Sequence, residues 1–492
     1  MSSTKQHVNY EDFGAIGDGV ADDLPAICKA HAYANENNFS VKAKSDASYH
    51  LGSKELTVII ATDTDWNTAR FMIDDTKADD NKHSLFHACS LLDPLALEIN
   101  KMSRDQKTLD ISLKQSCFVM VENDDINLYI RRGLNQNEGK PQHDCFILHP
   151  DGTIEGDIDW HYDHISRVKA NPIEEHQLVI QGGIFTTIAN RMEQKEGYNY
   201  WARNIQVTRS NTLVEGLTHY VIGETSVGHP YNGFISAIHC ANITIKDCFV
   251  TGHKIYQTIG TAGEPVSMGS YDLHANDIVN FHLINCHMNH ILDRTRWGVI
   301  GSNFCKNILL EGCTLSRMDT HMGVSGNYIV RNCTLGHMGL NAIGRGLLQI
   351  EDSTLHGGHL VNFRGDYGST WEGEILIKNC RWIPACGKET WPYMFCTVND
   401  STHDYGYPCF MPQVINIDGL HVEDSQTPDD YTGMYIFQDP DGQDNKLTPA
   451  DRSFPYARCQ SITINNLTTV SNKKLQVSPN EELNARLTIN ET

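Results

Sequence analysis

Ile243-Thr-Ile-Lys-Asp-Cys248 is followed along the chain by Phe281-His-Leu-Ile-Asn-Cys286, Ile308-Leu-Leu-Glu-Gly-Cys313, Tyr328-Ile-Val-Arg-Asn-Cys333, Leu348-Gln-Ile-Glu-Asp-Ser353 and Ile375-Leu-Ile-Lys-Asn-Cys380. Ile415-Asn-Ile-Asp-Gly-Leu420 and Ile462-Thr-Ile-Asn-Asn-Leu467 continue the series, while Leu178-Val-Ile-Gln-Gly-Gly183 and Ile205-Gln-Val-Thr-Arg-Ser210 precede it in looser form. The phrase alternates apolar and polar residues with a period of two, the mark of a short strand with one buried face. Its next-to-last position is Gly, Asn or Asp in nine of the ten copies. Those residues tolerate a left-handed backbone, so each strand is expected to end in the same sharp bend. Successive copies end between 20 and 47 residues apart. A constant phrase at variable spacing describes a coil whose strands stack while its loops differ in length. That is an all-β parallel β-helix, with rungs about 4.8 Å apart.

Composition agrees with a folded solenoid. The chain has 492 residues, 40% hydrophobic and 20% charged, and its formal net charge is −22. So acidic a chain is a poor match for nucleic acid, whose phosphates are bound by many Lys and Arg contacts. No run of 18 apolar residues exists to span a membrane. The N-terminus lacks the apolar stretch of a secretory signal, which leaves a cytoplasmic protein or the mature form of a secreted or periplasmic one. The 15 cysteines form no C-x-x-C pair, so the common zinc and thioredoxin spacings are missing. Cys248, Cys286, Cys313, Cys333 and Cys380 are expected to line one interior column as reduced thiols, with Cys240 and Cys305 in a second.

The N-terminus, Tyr10-Glu-Asp-Phe-Gly-Ala-Ile-Gly-Asp-Gly-Val-Ala-Asp-Asp-Leu-Pro-Ala-Ile27, closely resembles the opening motif of the pectate-lyase-like right-handed β-helix superfamily. That group includes polygalacturonase-type glycoside hydrolases, polysaccharide lyases and phage tailspikes. The resemblance implies a right-handed coil capped by a short helix over Ala26–Tyr33, with Asp22 and Asp23 at its N-terminus and Pro25 in its first turn. The expected organisation is a single β-helix domain over 1–492. Residues 1–60 form the cap and leading strands, 61–177 early coils with long loops, 178–470 regular rungs and 471–492 a C-terminal tail.

A packed interior sends ligands to the outer face. Charged residues recur just after the phrase between Cys286 and Cys380, where stacked rungs would gather them into a groove. Paired carboxylates on neighbouring rungs suit glycosidic hydrolysis, one as acid and one as base or nucleophile. Asp319, Asp293 and Asp366 are the candidates, with His321 as a proton-handling partner. Arg317, Arg364, Arg345 and Arg296 would bind an anionic sugar bidentately, assisted by His337 and Asp272. Trp297 and Tyr367, and further off Trp371, Trp391 and Tyr393, offer rings for sugars to stack on. The order Asp272, Asp293, His321, Arg364 is similar to that of catalytic groups in polygalacturonase-like hydrolases, although the Asn-Thr-Asp, Asp-Asp and Gly-His-Gly signatures are absent. Asp157-Ile-Asp-Trp-His-Tyr-Asp-His164 reads as a solvated loop, with metal or sugar binding as the alternative.

The expected function is therefore a glycoside hydrolase acting on an oligo- or polysaccharide, with no cofactor. The alternatives are a polysaccharide lyase, for which Ca2+ is a compatible cofactor, and a non-catalytic, tailspike-like glycan binder. The partner is a polysaccharide, and a homotrimer is compatible with the superfamily.

Overall fold

In the computed structural model, residues 7–491 are described except 53–54, 81, 131–138, 192–198, 260–264, 297–298, 386, 399–404 and 441–455. The repeat phrases stack in register. Ile243 lies beside Phe281, Phe281 beside Ile308, Ile308 beside Tyr328, and Tyr328 beside Leu348. The ladder runs on through Ile375, Ile415 and Ile462, always in parallel pairing. These first positions are all buried and belong to one core that extends from Val8 to Leu483. Burial of one apolar stripe per rung, at roughly 25 cal/mol per Å², is what each rung contributes to its neighbours.

The bends fall where the phrase puts them. Asp247, Asn285, Gly312, Asn332, Asp352, Asn379, Gly419 and Asn466 all have positive φ. The thiol column is present too. Cys286 Sγ points at the carbonyl of Ile245 one rung away, at 3.4 Å, and Cys313 Sγ at that of Leu283, at 3.4 Å. All the described cysteines are free thiols. Cys240 and Cys305 share the second column, with Ile278 beside Cys240 and Val324 beside Cys305.

One phrase belongs elsewhere. Ile205–Val207 pairs with Phe86–Ala88 and with Ile235 to Ala237, a different wall of the coil. The column that carries Leu178 continues instead through Thr212–Glu215 to Ile243, with Gly216 at its bend. The Ile205 phrase is the copy with Arg in place of a bend residue.

The capping helix spans Leu24–Asn37, longer than expected, with Pro25 in its first turn. It turns Leu24, Ile27, Ala30 and Ala34 onto the end of the core. Asp23 does not cap this helix with its side chain; its carboxylate accepts from the N–H groups of Ile16 and Gly17 at 2.7 and 3.2 Å.

Residues 89–177 depart from the coil. Cys117–Leu128, Lys140–Leu148, Ile154–Glu155 and Arg167–Pro172 form a four-stranded antiparallel sheet rather than long loops on early coils. It has its own core around Val119, Phe146 and Tyr162 and packs on the coil through Phe118, Ile147, Ala241 and Val279. The C-terminal stretch is more than a tail, because Ile489–Glu491 adds a further strand beside Ile462. Among the described residues no helix is long and apolar enough to cross a membrane.

Candidate active site

The strand Thr314–Thr320 passes Met318 and Thr320 inward and Asp319 outward, where Asp319 lies beside Gly301 of the preceding rung. Asp319 is nonetheless only 1% exposed, because other side chains close over it. Arg317 Nη2 reaches its Oδ1 at 2.7 Å and Arg364 Nη1 at 3.0 Å, while Asn341 Nδ2 donates to the same oxygen at 2.5 Å. His321 Nε2 donates to Oδ2 at 2.6 Å. Arg364 turns its remaining nitrogens to Asp366, with Nε–Oδ1 at 2.8 Å and Nη2–Oδ2 at 2.7 Å. One guanidinium thus bridges two carboxylates, the fork geometry that Lys cannot reproduce.

Arg364 occupies this position at a conformational cost. Its φ is +61°, and Asn362 Oδ1 holds its N–H at 2.9 Å as the chain enters the turn Gly365–Tyr367. A left-handed non-glycine residue costs about 1–2 kcal/mol, and such strain concentrates at functional sites. The turn also brings Tyr367 flat against the His321 ring, at a centroid distance of 5.6 Å.

Burial alone would raise the Asp319 carboxyl, but Arg317, His321 and Arg364 together hold it well below the usual carboxylate range. Burial, aided by the two arginines and opposed by Asp319, lowers His321 below an ordinary histidine. At neutral pH Asp319 is therefore an anion and His321 a neutral imidazole. Since the carboxylate accepts from Nε2, the ring's lone pair is left on Nδ1.

Of the expected site residues, Asp319, His321, Arg317, Arg364, Asp366 and Tyr367 come together here. The others do not. Asp293 is a loop residue whose Oδ1 accepts from the N–H and hydroxyl of Thr295, at 2.9 and 2.7 Å. Arg296 is tied to the carbonyl of Gly252 at 2.9 Å and faces Glu224 at 3.8 Å. His337 Nε2 contacts the Arg296 carbonyl at 2.9 Å. Arg345 lies under the antiparallel sheet, paired with Asp105 at 2.6 Å and Asp159 at 3.3 Å. Asp272 is buried inside the coil rather than in the groove. Trp297 lies outside the described residues. Trp371 is a core residue with no exposed ring. Within 157–164 the solvated-loop reading holds only in part: Asp157 pairs with Lys107 and His161 with Asp163, but Ile158 and Tyr162 are buried in the core of the antiparallel sheet and Asp159 faces Lys306.

Three neighbours were not singled out in the sequence. Tyr271 Oη lies 3.4 Å from His321 Nε2, and its ring covers Gly301, where a Cβ would stand 2.7 Å from it. Burial drops His274, beside Gly301, to about 4. Asn341 completes the shell around Asp319. Tyr271 and His274 flank Asp272 in sequence, and only strand direction distinguishes the outward residues from the inward one.

A separate cavity of about 100 Å³ lies between the antiparallel sheet and the coil, lined among others by Tyr129, Trp160, Phe304 and Lys306. Burial pushes Asp144 there up to about 6 against the pull of Lys306, whose Nζ is 2.6 Å away.

No protein-family model matches the chain. Over 156 residues it is 33% identical to a capsule KL64-specific depolymerase of Klebsiella phage P510, a match that covers 30% of this chain and 15% of the relative's length. The tailspike gp61 of Pseudomonas phage phi297 superposes with a TM-score of 0.52 at 13% identity, covering 98% of this chain and 83% of that one. The tailspike gp49 of Pseudomonas phage LKA1 gives 0.45 at 12% identity, over 99% and 78%. Stacked parallel rungs, a capping helix and the gp61 superposition together show that this chain has the parallel β-helix fold.

Proposed function

We propose that this protein is a glycan-degrading enzyme, a glycoside hydrolase that cleaves an acidic oligo- or polysaccharide on the outer face of its β-helix. The observation that carries the reading is the pair of carboxylates, Asp319 and Asp366, bridged by Arg364 beside His321 and the Tyr367 ring. The 33% identity to a capsule depolymerase over part of the chain supports the substrate class. Asp319, held as an anion, is suited to offset the positive charge that develops on the sugar and to orient His321. Asp366 is the more exposed partner, at 26% of its side chain. An anionic substituent on the sugar competes for Arg364, and a carboxyl released from its cation rises toward the range of a proton donor.

A specific observation favours a lyase as the second reading. His321 is neutral, oriented by Asp319 and flanked by two guanidiniums. In that role Nδ1 takes the proton beside a uronate carboxylate whose charge the arginines offset, a carbon–carbon double bond forms as the bond to the glycosidic oxygen breaks, and that oxygen takes a proton from water. Ca2+ belongs only to this reading, and the hydrolase needs no cofactor. Assembly as a homotrimer is part of the same proposal and is checked by light scattering.

The test is mass spectrometry of products from a panel of acidic bacterial capsule glycans. Hydrolysis adds one water per cut and yields no unsaturated end. Products bearing an unsaturated uronate overturn the hydrolase in favour of the lyase. Binding to a glycan without any cleavage would overturn both and leave a tailspike-like binder.

A further inference from the structure

Inside the coil, away from the groove, three titratable side chains meet where apolar residues are the rule. His219 occupies an inward position whose neighbours on adjoining rungs are Phe185 and Val250. His253 follows one rung later, and Asp272 comes from the strand Tyr271–Ile284. Their relative exposures are 3%, 1% and 0%. A buried carboxylate and two buried imidazoles carry a large desolvation cost unless something satisfies them.

Asp272 points inward because of a register irregularity. Tyr271 pairs with Val299 and Leu273 with Ile300, so Asp272 is an inserted residue with no counterpart on that neighbour. A bulge of this kind re-aims a side chain and recurs next to functional sites.

The hydrogen bonds of the cluster divide its atoms into two sets. His219 Nε2 is 2.9 Å from Thr187 Oγ1, and His253 Nδ1 is 3.0 Å from Glu224 Oε1. Glu224 is itself fixed by Tyr256 Oη at 2.6 Å and by the N–H of Lys254 at 3.0 Å. On the other side of the rings, His219 Nδ1 has no hydrogen-bond partner, and neither do Oδ1 and Oδ2 of Asp272. His253 Nε2 faces Asp272 Oδ1 at 3.4 Å without a hydrogen bond. One ligand atom from each of the three residues lies within 4.8 Å of the other two.

We infer that His219, His253 and Asp272 form a binding site for a divalent first-row transition metal ion, with Zn2+ the best match to its donors. Two imidazoles and one carboxylate are a recurrent ligand set for such ions. Each histidine gives its second nitrogen to an acceptor, Glu224 or Thr187, which fixes the ring and raises its basicity, as the outer shell of a metal site does. Ligands around a tetrahedral Zn2+ stand about 3.4 Å apart, the separation already present between His253 Nε2 and Asp272 Oδ1, so binding draws in any ligand atom that lies farther off. An outer cavity of about 560 Å³ lies on the far side of Glu224, which lines it together with Thr251 and Arg296. The ion ties together three rungs and is distinct from the groove at Asp319. Hard, oxygen-rich Ca2+ sites have a different donor set, so this ion is not the Ca2+ of a lyase.

The full-length protein is stripped with chelator, dialysed and titrated with Zn2+, with Co2+ as a spectroscopic probe. The expected results are one ion per chain, a thermal midpoint raised by Zn2+ and lowered by chelator, and the visible d–d bands of low-coordinate Co2+. Asp272→Asn should abolish all three. Glu224→Gln should weaken binding about 10–100-fold, and His321→Gln in the groove should leave it unchanged. If a cluster variant does not fold, the Co2+ spectrum of the unaltered protein decides. Failure of the unaltered protein to bind either ion overturns the site, as does full retention of binding in both Asp272→Asn and Glu224→Gln. Loss of glycan cleavage with metal binding intact would count against the groove alone.

Discussion

Asp319 is surrounded by more positive charge than any other carboxylate in the groove, and Arg364 is the residue whose removal discriminates structure from chemistry. Taking away one partner of a buried ion pair leaves an uncompensated charge and costs about 3–5 kcal/mol. Arg364→Ala is expected to fall in that range by urea denaturation and to abolish glycan cleavage. Arg364→Lys keeps the charge but cannot bridge Asp319 and Asp366 together, so it should recover much of the stability and little of the activity. The pH dependence follows from the same residues. Asp319 is lowered in the folded state, so its contribution is present above the unfolded value of about 3.9 and is lost only as pH falls through its lower folded value. His321 is lowered as well. The folded state then binds fewer protons at this ring than the unfolded chain, and stability declines as pH falls below about 6.5. Urea midpoints between neutral and mildly acidic pH should show that early decline, and His321→Gln should lessen it, leaving the share of other histidines lowered by burial, such as His31 and His274.

At the scale of the strand and its bend, the side chain at a left-handed position matters twice, once for its φ and once for its hydrogen bonds. Asn242, Asn280 and Asn307 all have positive φ and stack as an amide ladder. Asn280 Nδ2 donates to Asn242 Oδ1 at 2.8 Å, and Asn307 Nδ2 to Asn280 Oδ1 at 3.1 Å. Asn280→Ala loses both of these bonds and a third to Glu155 Oε1 at 2.6 Å, and puts a residue that tolerates the left-handed conformation less well than Asn in its place, about 2–3 kcal/mol in total. Asn280→Gly keeps the backbone conformation and should cost less, an order that denaturant melts of the two variants would check. The thiol column behaves differently. Ser353 already takes a place in it, accepting from the N–H of Cys333 at 3.0 Å and donating to the carbonyl of Glu351 at 2.6 Å. Cys333→Ser finds a similar carbonyl in Arg331, 3.1 Å from the present Sγ, and is expected to cost less than about 1 kcal/mol.

Across the whole molecule, the antiparallel sheet has its own core and is joined to the coil by a small apolar cluster and a set of ion pairs. Among its polar anchors the most buried is Lys306, whose Nζ meets Asp144 at 2.6 Å and Asp159 at 3.5 Å, while Arg345 pairs with Asp105 and His143 with Asp277 nearer the surface. Lys306→Met leaves Asp144 buried without its cation. Because the sheet has its own core, the expected outcome is local release of residues 89–177 while the rungs persist. Hydrogen exchange should show faster exchange in Cys117–Leu128 and Lys140–Leu148 and little change in Val324–Arg331.

The wall that carries the repeat, its bends and its thiol column are written in local sequence, because alternation and a bend residue are properties of six consecutive positions. The sequence likewise placed Asp319, His321, Arg364 and Asp366 among the candidate residues, since polar groups crowd the loops after the phrase. Which of them meet depends on stacking. Arg364 reaches Asp319 across 45 positions of chain because intervening loops set how the rungs overlie, and loop length says nothing about direction. The same limit explains Ile205, whose alternation fits any wall, and Arg296 and Arg345, which face other partners. It explains Asp272 most directly, since a single inserted residue reverses which face a side chain takes. Alternation along the chain set what could be buried; register between rungs decided what was.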